Sequence, residues 1–420
     1  MIQITEKHNC CGCGACSQVC PQRCIEMVAD NEGFLYPEVN SEDCIHCGLC
    51  EKVCIYRQHH PERLPIQTLA AYCLDEGLRL NSSSGGIFTI LAEHTIRNDG
   101  IVFGVCFDSQ WNAVFDYVEN YHDLGKFRGS KYVQAKIGNA YKECESFLKK
   151  GRPVLFTGTP CQIGGLKLYL RQDYPNLLTC DIICHGVPSP KVWQSYLSDV
   201  RRRETSKAAD RRSLEKVSFC SSQNTLPLIK DINFRDKSDG WKKFRFVLTF
   251  TEVSPEDKRS SVSSSPRTLS EPFYNNIYMK AFLQNLDLRP SCHHCAAKRG
   301  RSLSDLTIAD FWGIQDVCPQ MDDDKGTGLL MINTLRGKQS LNYSKLQVKE
   351  LLIETALKGN PVWYNSVEAH PRRSHFFKLL NSRKDVICLI EHELKPHITI
   401  KQRVKNKCRA IYYTIKNICK

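Results

Sequence analysis

Two runs of cysteines near the start of the chain constrain its fold more than any other feature. Both follow the spacing C-x2-C-x2-C-x3-C, and they form the internal repeat of the 420-residue sequence. Such dense cysteines indicate either a disulfide scaffold or a metal protein. The opening segment MIQITEKHNC has no apolar stretch typical of an export signal, so we expect a cytoplasmic location, reduced thiols and metal binding. The eight cysteines are Cys10, Cys13, Cys16, Cys20, Cys44, Cys47, Cys50 and Cys54.

This spacing is that of bacterial ferredoxins that hold two 4Fe-4S clusters. Three thiolates of a run bind one cluster, and the fourth, which we expect at the start of a short helix, binds the other. The first predicted cluster takes Cys10, Cys13, Cys16 and Cys54, and the second takes Cys44, Cys47, Cys50 and Cys20. Paired zinc knuckles are the alternative, although zinc sites usually place longer stretches between their cysteine pairs. We expect a hairpin over residues 25–39, and we interpret Cys11 and Cys24 as packing residues.

The rest of the chain predicts a second, larger domain. Residues 67–200 alternate strand and helix patterns, which is typical of an α/β domain. The stretch from 201 to 275 is charge-rich and then Ser-rich, and the remainder looks helical with a basic end. The expected class is α+β: a two-cluster ferredoxin-like module, then an α/β domain with a helical C-terminal region. The predicted divisions are a ferredoxin domain at 1–62, two parts of one catalytic domain at 63–200 and 201–385 with a Ser-rich insertion near 254–270, and a basic helical tail at 386–420.

Four further cysteines lie in turn-like settings. Cys161 and Cys184 each follow a hydrophobic strand pattern, and Cys292 and Cys295 lie in the segment CHHC. If the two strands are parallel neighbours, their carboxyl ends meet where open α/β sheets bind ligands. Four thiolates suffice for a third cluster. The alternative is that Cys161 is a lone nucleophile and that CHHC, with one of its two histidines, His293 or His294, is half of a zinc site.

Four ordered motifs resemble those of a known family. They are SSSGGIFTILAEHTIRNDGIVFGVCFD, GSKYVQAKIGNAYKECESFLKKGRPVLFTGTPCQIGGLK, DIICHGVPSPKVW and CHHCAAKRGRSLSDLTIADFWGI, and they span roughly residues 65–335. The chain resembles the beta subunit family of the deazaflavin-coenzyme hydrogenases and dehydrogenases. The resemblance implies an FAD-binding oxidoreductase with a 4Fe-4S cluster close to the flavin. It maps the ligands of that cluster to Cys161, Cys184, Cys292 and Cys295.

The resemblance also implies a set of flavin-binding residues. They are Ser83, Ser84, Gly85, Gly86, Lys131, Gly158, Thr159, Pro160, Asp310 and Trp312. Free N–H groups at a helix start suit the FAD pyrophosphate, and a lysine suits a phosphate or the flavin ring. The alternatives are a serine helix cap with packing glycines, a surface lysine and a core tryptophan. His185 is a candidate proton donor or a structural histidine.

Charge and hydropathy bear on the partners. The chain has 58 basic and 45 acidic residues, a formal net charge of +13, and no apolar run long enough to span a membrane. The expected partners are a ferredoxin-like carrier or redox partner subunit and a small-molecule hydride acceptor, either the deazaflavin coenzyme or another substrate. A non-catalytic electron-transfer subunit is the alternative. The basic tail is a solvated helix, a docking face for an acidic partner or a peripheral membrane contact, and we expect no nucleic acid.

Overall fold

The computed structural model describes residues 1–58, 60–214, 227–251, 267–383 and 385–395. Within these residues the chain combines helices and strands, with the cysteine-rich module first and a large α/β domain after it. The strands are β1 Ile25–Ala29, β2 Leu35–Val39, β3 Gln67–Cys73, β4 Ile101–Phe107, β5 Ala113–Val118, β6 Val154–Gly158, β7 Leu177–Ile182, β8 Ile229–Asp236, β9 Arg245–Phe250, β10 Thr268–Pro272, β11 Leu306–Asp310, β12 Gly328–Ile332 and β13 Leu346–Glu350.

The helices are mostly short. They are α1 Ala15–Val19, α2 Leu49–Lys52, α3 Glu76–Leu80, α4 Ile87–Arg97, α5 Ala140–Lys149, α6 Pro160–Leu170, α7 Pro190–Leu214, α8 Ile277–Leu283, α9 Ile314–Val317, α10 Leu335–Gln339, α11 Ile353–Ala356, α12 Arg373–Leu380 and α13 Val386–Leu394. Additional 3-10 turns include Pro290–His294, which contains the start of CHHC. No helix in the described ranges has the length and apolar character that crossing a membrane requires.

The N-terminal module contains the predicted hairpin and two matching cysteine loops. Strands β1 and β2 pair antiparallel across the Asn-Glu-Gly turn. Gly14 and Gly48 precede α1 and α2, and both adopt the left-handed conformation that glycine tolerates. These glycines start each helix before the third cysteine of its run. The expectation that the fourth cysteine starts a helix is therefore wrong, because Cys20 caps the end of α1 and Cys54 follows α2.

The large domain is built on an eight-stranded sheet in the order β13-β3-β12-β11-β7-β6-β4-β5. Strands β4, β6, β7 and β11 are parallel neighbours. Strand β12 runs antiparallel to both β11 and β3, so β3 points the same way as the parallel group. The carboxyl ends of five strands therefore lie at one edge of the sheet. The prediction that the strands before Cys161 and Cys184 are parallel neighbours is confirmed.

A second, antiparallel sheet lies in the stretch that looked charge-rich. Strands β8, β9 and β10 form it, and Phe234, Phe246 and Phe250 are buried in a core shared with α7, α8, α12 and α13. The expected insertion near 254–270 falls mainly on 254–266, outside the described residues, and its end forms part of β10 rather than a loop. The C-terminal region also contributes β13 to the large sheet, so it is not wholly helical. Helix α13 packs in the core, and the remaining tail, 396–420, lies outside the described residues.

Candidate functional site

The second set of ferredoxin-type cysteines lines a cavity. Its wall includes all four predicted ligands, Cys20, Cys44, Cys47 and Cys50, and its volume is about 360 Å³ with the part open to solvent included. Cys24 also lines it, with its Sγ 3.4 Å from that of Cys20. A cavity walled by four thiols of the required spacing fits a 4Fe-4S cluster.

The first set lies deeper in the protein. Burial raises the pKa of the Cys16 thiol to about 12, and the charges of Cys10, Cys54 and Cys50 add to the shift. Cys13 lies against α6, where a Cβ added at Gly165 would be 2.9 Å from its Sγ. The exchange of the fourth cysteines between the two runs, which the ferredoxin spacing predicts, stays a prediction.

The four cysteines of the large domain converge at the carboxyl edge of the sheet. Cys161 is the second residue of α6, directly after β6, and Cys184 lies two residues beyond β7. Burial raises the pKa of Cys184, and the charges of Cys292, Cys161 and Cys295 raise it further. Cys161 and Cys295 also pack against the same buried cluster, which contains Cys11, Ile55 and Ala297. The backbone N–H of Val187 points to Cys292 Sγ at 3.4 Å.

Four thiols from three segments match the ligand number of a 4Fe-4S cluster. In the described part of the chain, no three His, Cys, Asp or Glu side chains are close enough to bind one metal ion. A cubane spreads its four thiolates around four irons and four sulfides, so its ligands lie farther apart than those of one ion. Of the two histidines in CHHC, His293 donates from Nδ1 to the Val367 carbonyl at 2.9 Å, and His294 packs against His8 with ring centroids 4.8 Å apart and the rings tilted by 48°.

The predicted flavin residues lie along the same edge of the sheet. The Ser83–Gly86 loop connects α3 to α4, and the N-cap of α4 is Gly86, without a side-chain cap. The alternative of a serine cap is therefore wrong. Ser83 Oγ accepts a hydrogen bond from the N–H of Ser130, at 2.8 Å, beside Lys131. Gly85 packs between β3 and β12, because an added Cβ would be 2.4 Å from the Ala71 carbonyl.

Lys131 is a half-buried cation in this cluster. Its Nζ donates to the carbonyls of Lys126 and Arg128, each at 2.9 Å, and burial lowers its pKa to about 8. Among the residues that the structure describes, it forms no ion pair with a carboxylate. Lys131 is thus able to accept an anionic neighbour.

Asp310 and Trp312 meet at a buried arginine that the sequence did not indicate. Arg235 donates to both carboxylate oxygens of Asp310, at 2.8 and 2.9 Å, and to the Ser83 carbonyl at 3.1 Å. Asp310 also accepts from Trp241 Nε1 at 2.9 Å, and Trp241 stacks on Trp312 with ring centroids 5.0 Å apart. Asp310 therefore holds Arg235 in place, and Arg235 joins β8 to the serine loop.

Thr159 positions the start of α6. It forms a capping box with Gln162, and its Oγ1 lies 3.3 Å from Cys161 Sγ. The glycine before it, Gly158, ends β6, and a Cβ added there would be 3.3 Å from the Phe115 ring. Pro160 is the first residue of the helix, where its missing N–H is harmless.

His185 is held as a neutral ring. Its Nε2 donates to Asn285 Oδ1 at 2.6 Å, and the other end of that amide donates to the Glu368 carbonyl, which fixes the amide orientation. Burial lowers the pKa of His185. The proton on Nε2 is thus engaged in a structural hydrogen bond.

Comparisons with known proteins agree with this geometry. Residues 9–57 match the family model of the 4Fe-4S dicluster domain, and residues 151–354 match the model for the C terminus of the coenzyme F420 hydrogenase/dehydrogenase beta subunit. The chain is therefore related to this beta subunit family over just under half of its length. That family consists of hydrogenase and dehydrogenase subunits, and the dicluster domain makes the chain an iron–sulfur electron-transfer protein.

Solved structures also match the chain. The chain is similar to a chain of the F420-reducing NiFe hydrogenase complex from Methanosarcina barkeri, with 17% identity and a TM-score of 0.42, over 80% of this chain and 94% of that chain. No curated protein matches the sequence.

Two residues near the site were missed in the sequence. Arg235 and Arg289 are almost fully buried, and an isolated arginine carries no sequence signal of burial. The interpretation of Cys11 as a packing residue is confirmed, because it is buried in a cluster with Ile55 and Ala297, next to Cys13 and Cys161.

Proposed function

We propose that the protein is an iron–sulfur flavoprotein oxidoreductase with three 4Fe-4S clusters and one FAD, which exchanges electrons between a ferredoxin-type carrier and an organic hydride acceptor. The observation that carries the proposal is the convergence of Cys161, Cys184, Cys292 and Cys295 at the edge of the sheet where the predicted flavin residues also lie. FAD, when bound, exchanges single electrons with metal clusters and a hydride with organic molecules.

Buried donors without partners support a bound anion at this edge. Within the described residues, Nε of Arg128 and Nε of Arg235 are buried and lack a hydrogen-bond partner. Lys131 lies beside Arg128 and has no paired carboxylate there. Donors of this kind suit the pyrophosphate of FAD. We assign the FAD contacts to the Ser83–Gly86 loop, Lys131, Gly158–Pro160, Asp310 through Arg235, and Trp312.

Two features support electron transfer from a carrier at the protein surface inward to the large domain. The cavity of the second cysteine set has Cys47 and Ile45 exposed at its rim, and the Ile45 side chain is 59% exposed. The first set faces α6, which carries Cys161. A carrier would therefore dock at the second set, and the first set would lie between it and the large domain. We propose the predicted domain limits, 1–62 and 63–385, for these two parts.

Turnover by the isolated chain tests the proposal. The protein is purified without oxygen, and reduced ferredoxin is supplied with the deazaflavin coenzyme or a nicotinamide coenzyme as acceptor probes. We expect ferredoxin oxidation to depend on bound FAD and to be lost in Cys184→Ser. A chain that binds FAD but reduces only one-electron dyes would instead be an electron-transfer subunit, and a chain that binds no flavin would overturn the proposal.

A further inference from the structure

We propose that Arg289 is the counter-cation of the first ferredoxin-type cluster and raises its reduction potential. The proposal rests on the proposed function only in its iron–sulfur part, since it concerns the cluster of the dicluster domain and needs neither FAD nor the third cluster.

Arg289 is fully buried yet lacks an acidic partner. Its exposed fraction is 0%, and no carboxylate in the described residues lies within ion-pair distance of it. The guanidinium donates to the carbonyls of Cys10 at 2.8 Å and Leu35 at 2.9 Å, and to Gln134 Oε1 at 3.0 Å. A buried charge needs compensation. Neutral carbonyls alone do not supply a negative charge.

The neighbouring Cys10 would supply one as a thiolate ligand of the cluster. An N–H of Arg289 points to Cys10 Sγ at 3.7 Å, and the guanidinium lies over the Tyr36 ring, 4.3 Å from its centroid. The cysteine loop closes on it, because a Cβ added at Gly12 would be 2.9 Å from its Nη1. Cys10 is a ligand of the first cluster, so the guanidinium lies in the ligand shell of that cluster.

Other buried arginines show that this pairing is specific. Arg79 pairs with Asp323, Arg235 with Asp310, and Arg373 with Glu32. Arg289 differs from these arginines in facing sulfur rather than carboxylate. Its place in the chain also matters, because it lies three residues before Cys292. One short segment thus supplies a ligand of the proposed third cluster and a cation for the first.

The expected effect has a definite sign. Reduction adds one negative charge to a cluster, and hydrogen bonds and charges near the sulfurs tune its potential. A fixed cation therefore favours the reduced form. Removing it lowers the midpoint potential of the first cluster, while the second cluster, whose cavity Arg289 does not line, keeps its potential.

Potentiometric titration with EPR detection on the full chain, purified without oxygen, measures this effect. The variants are Arg289→Gln and Arg289→Lys, with Arg373→Gln as the matched control, since Arg373 is buried nearby but pairs with Glu32. For Arg289→Gln we expect the midpoint potential of one ferredoxin-type signal to fall by about 59 mV or more, which is a factor of ten in the equilibrium constant of a one-electron reduction. Arg373→Gln should leave both signals in place.

Arg289→Lys keeps the proposal testable if the glutamine variant does not retain iron. Lysine keeps the charge but cannot reach Cys10, Leu35 and Gln134 together, so the same signal should move down by less. Unchanged midpoints in an iron-replete Arg289→Gln, or in Arg289→Lys when the glutamine variant fails, would overturn the proposal. Missing flavin or third-cluster signals in the wild type would instead count against the proposed function, and the ferredoxin-type midpoints would still be measured.

Discussion

Replacing Gly165 with alanine tests how the ferredoxin module meets the large domain. Gly165 lies inside α6, four residues after Cys161, and faces the first cysteine run. A Cβ there would be 2.9 Å from Cys13 Sγ and 3.0 Å from both Cys13 Cβ and the Tyr141 hydroxyl. Overpacking of this kind costs roughly 1–3 kcal/mol. Alanine regains roughly 0.5–1 kcal/mol in a helix, so the net loss of stability is about 0–2.5 kcal/mol.

Two matched variants separate crowding from helix propensity. Gly77 lies in α3, where an added Cβ would find its nearest neighbour at 3.5 Å, so Gly77→Ala should stabilise by roughly 0.5–1 kcal/mol. A Cβ added at Gly164 would be 2.5 Å from the flexible end of the Ile55 side chain. The stability of Gly164→Ala should therefore lie between those of Gly165→Ala and Gly77→Ala. The difference between Gly165→Ala and Gly77→Ala then isolates the crowding, about 1–3 kcal/mol.

The assay is denaturant-induced loss of the iron–sulfur absorbance under anaerobic conditions. Gly165→Ala should lose the absorbance at lower denaturant than the wild type or contain fewer irons, because a Cys13 sulfur that moves aside would leave the cluster that it is predicted to bind. Gly77→Ala should retain the full iron content. Stabilisation of Gly165→Ala equal to that of Gly77→Ala would refute the contact between α6 and the first cysteine run.

Three other changes have expected outcomes. His185→Gln should lower turnover less than tenfold, because its Nε2 proton is engaged structurally; a loss of about 10²–10⁴ would make it a general acid. Asp310→Asn should lower the free energy of unfolding by about 3–5 kcal/mol in denaturant titrations, because it leaves Arg235 buried without a counter-charge. A loss under about 1 kcal/mol, the value of a surface ion pair, would contradict the buried pairing. Burial raises the pKa of Asp287 to about 7. Its carboxyl is therefore neutral and costs no stability near pH 4, and its ionisation destabilises the folded protein progressively as the pH rises to 7. The free energy of unfolding of Asp287→Asn should therefore exceed that of the wild type by up to about 4 kcal/mol at pH 8 and by about half as much at pH 5.5. A difference in stability that does not depend on pH would contradict the raised pKa of Asp287.

The local parts of the site could be predicted from the sequence. The C-x2-C-x2-C-x3-C spacing alone indicates which thiolates share a cluster, because three ligands lie on one loop. The hairpin between the runs follows from its turn residues in the same way. The order of the sheet strands is not encoded so locally. Patterns placed Cys161 and Cys184 at strand ends, but whether those ends meet depends on the pairing of β6 with β7.

Tertiary context explains what the sequence did not indicate. Strand β8, IKDINFRD, is too polar to predict a core strand, yet it buries Phe234 against aromatic rings of other elements. Arg235 and Arg289 look like surface residues until the fold encloses them. Cys11 contacts Cys161 only because α6 packs on the first cysteine loop.

The most direct test of the account is the metal and flavin content of the anaerobically purified chain. Iron, sulfide, zinc and flavin are quantified in the wild type, in Cys161→Ser, and in Cys318→Ser, a buried cysteine of a separate core. Three clusters and one flavin predict about twelve irons, no zinc and one FAD per chain, with about eight irons in Cys161→Ser and no loss in Cys318→Ser. A full iron load in Cys161→Ser, or a wild type with eight irons and no flavin, would contradict the third cluster beside the flavin.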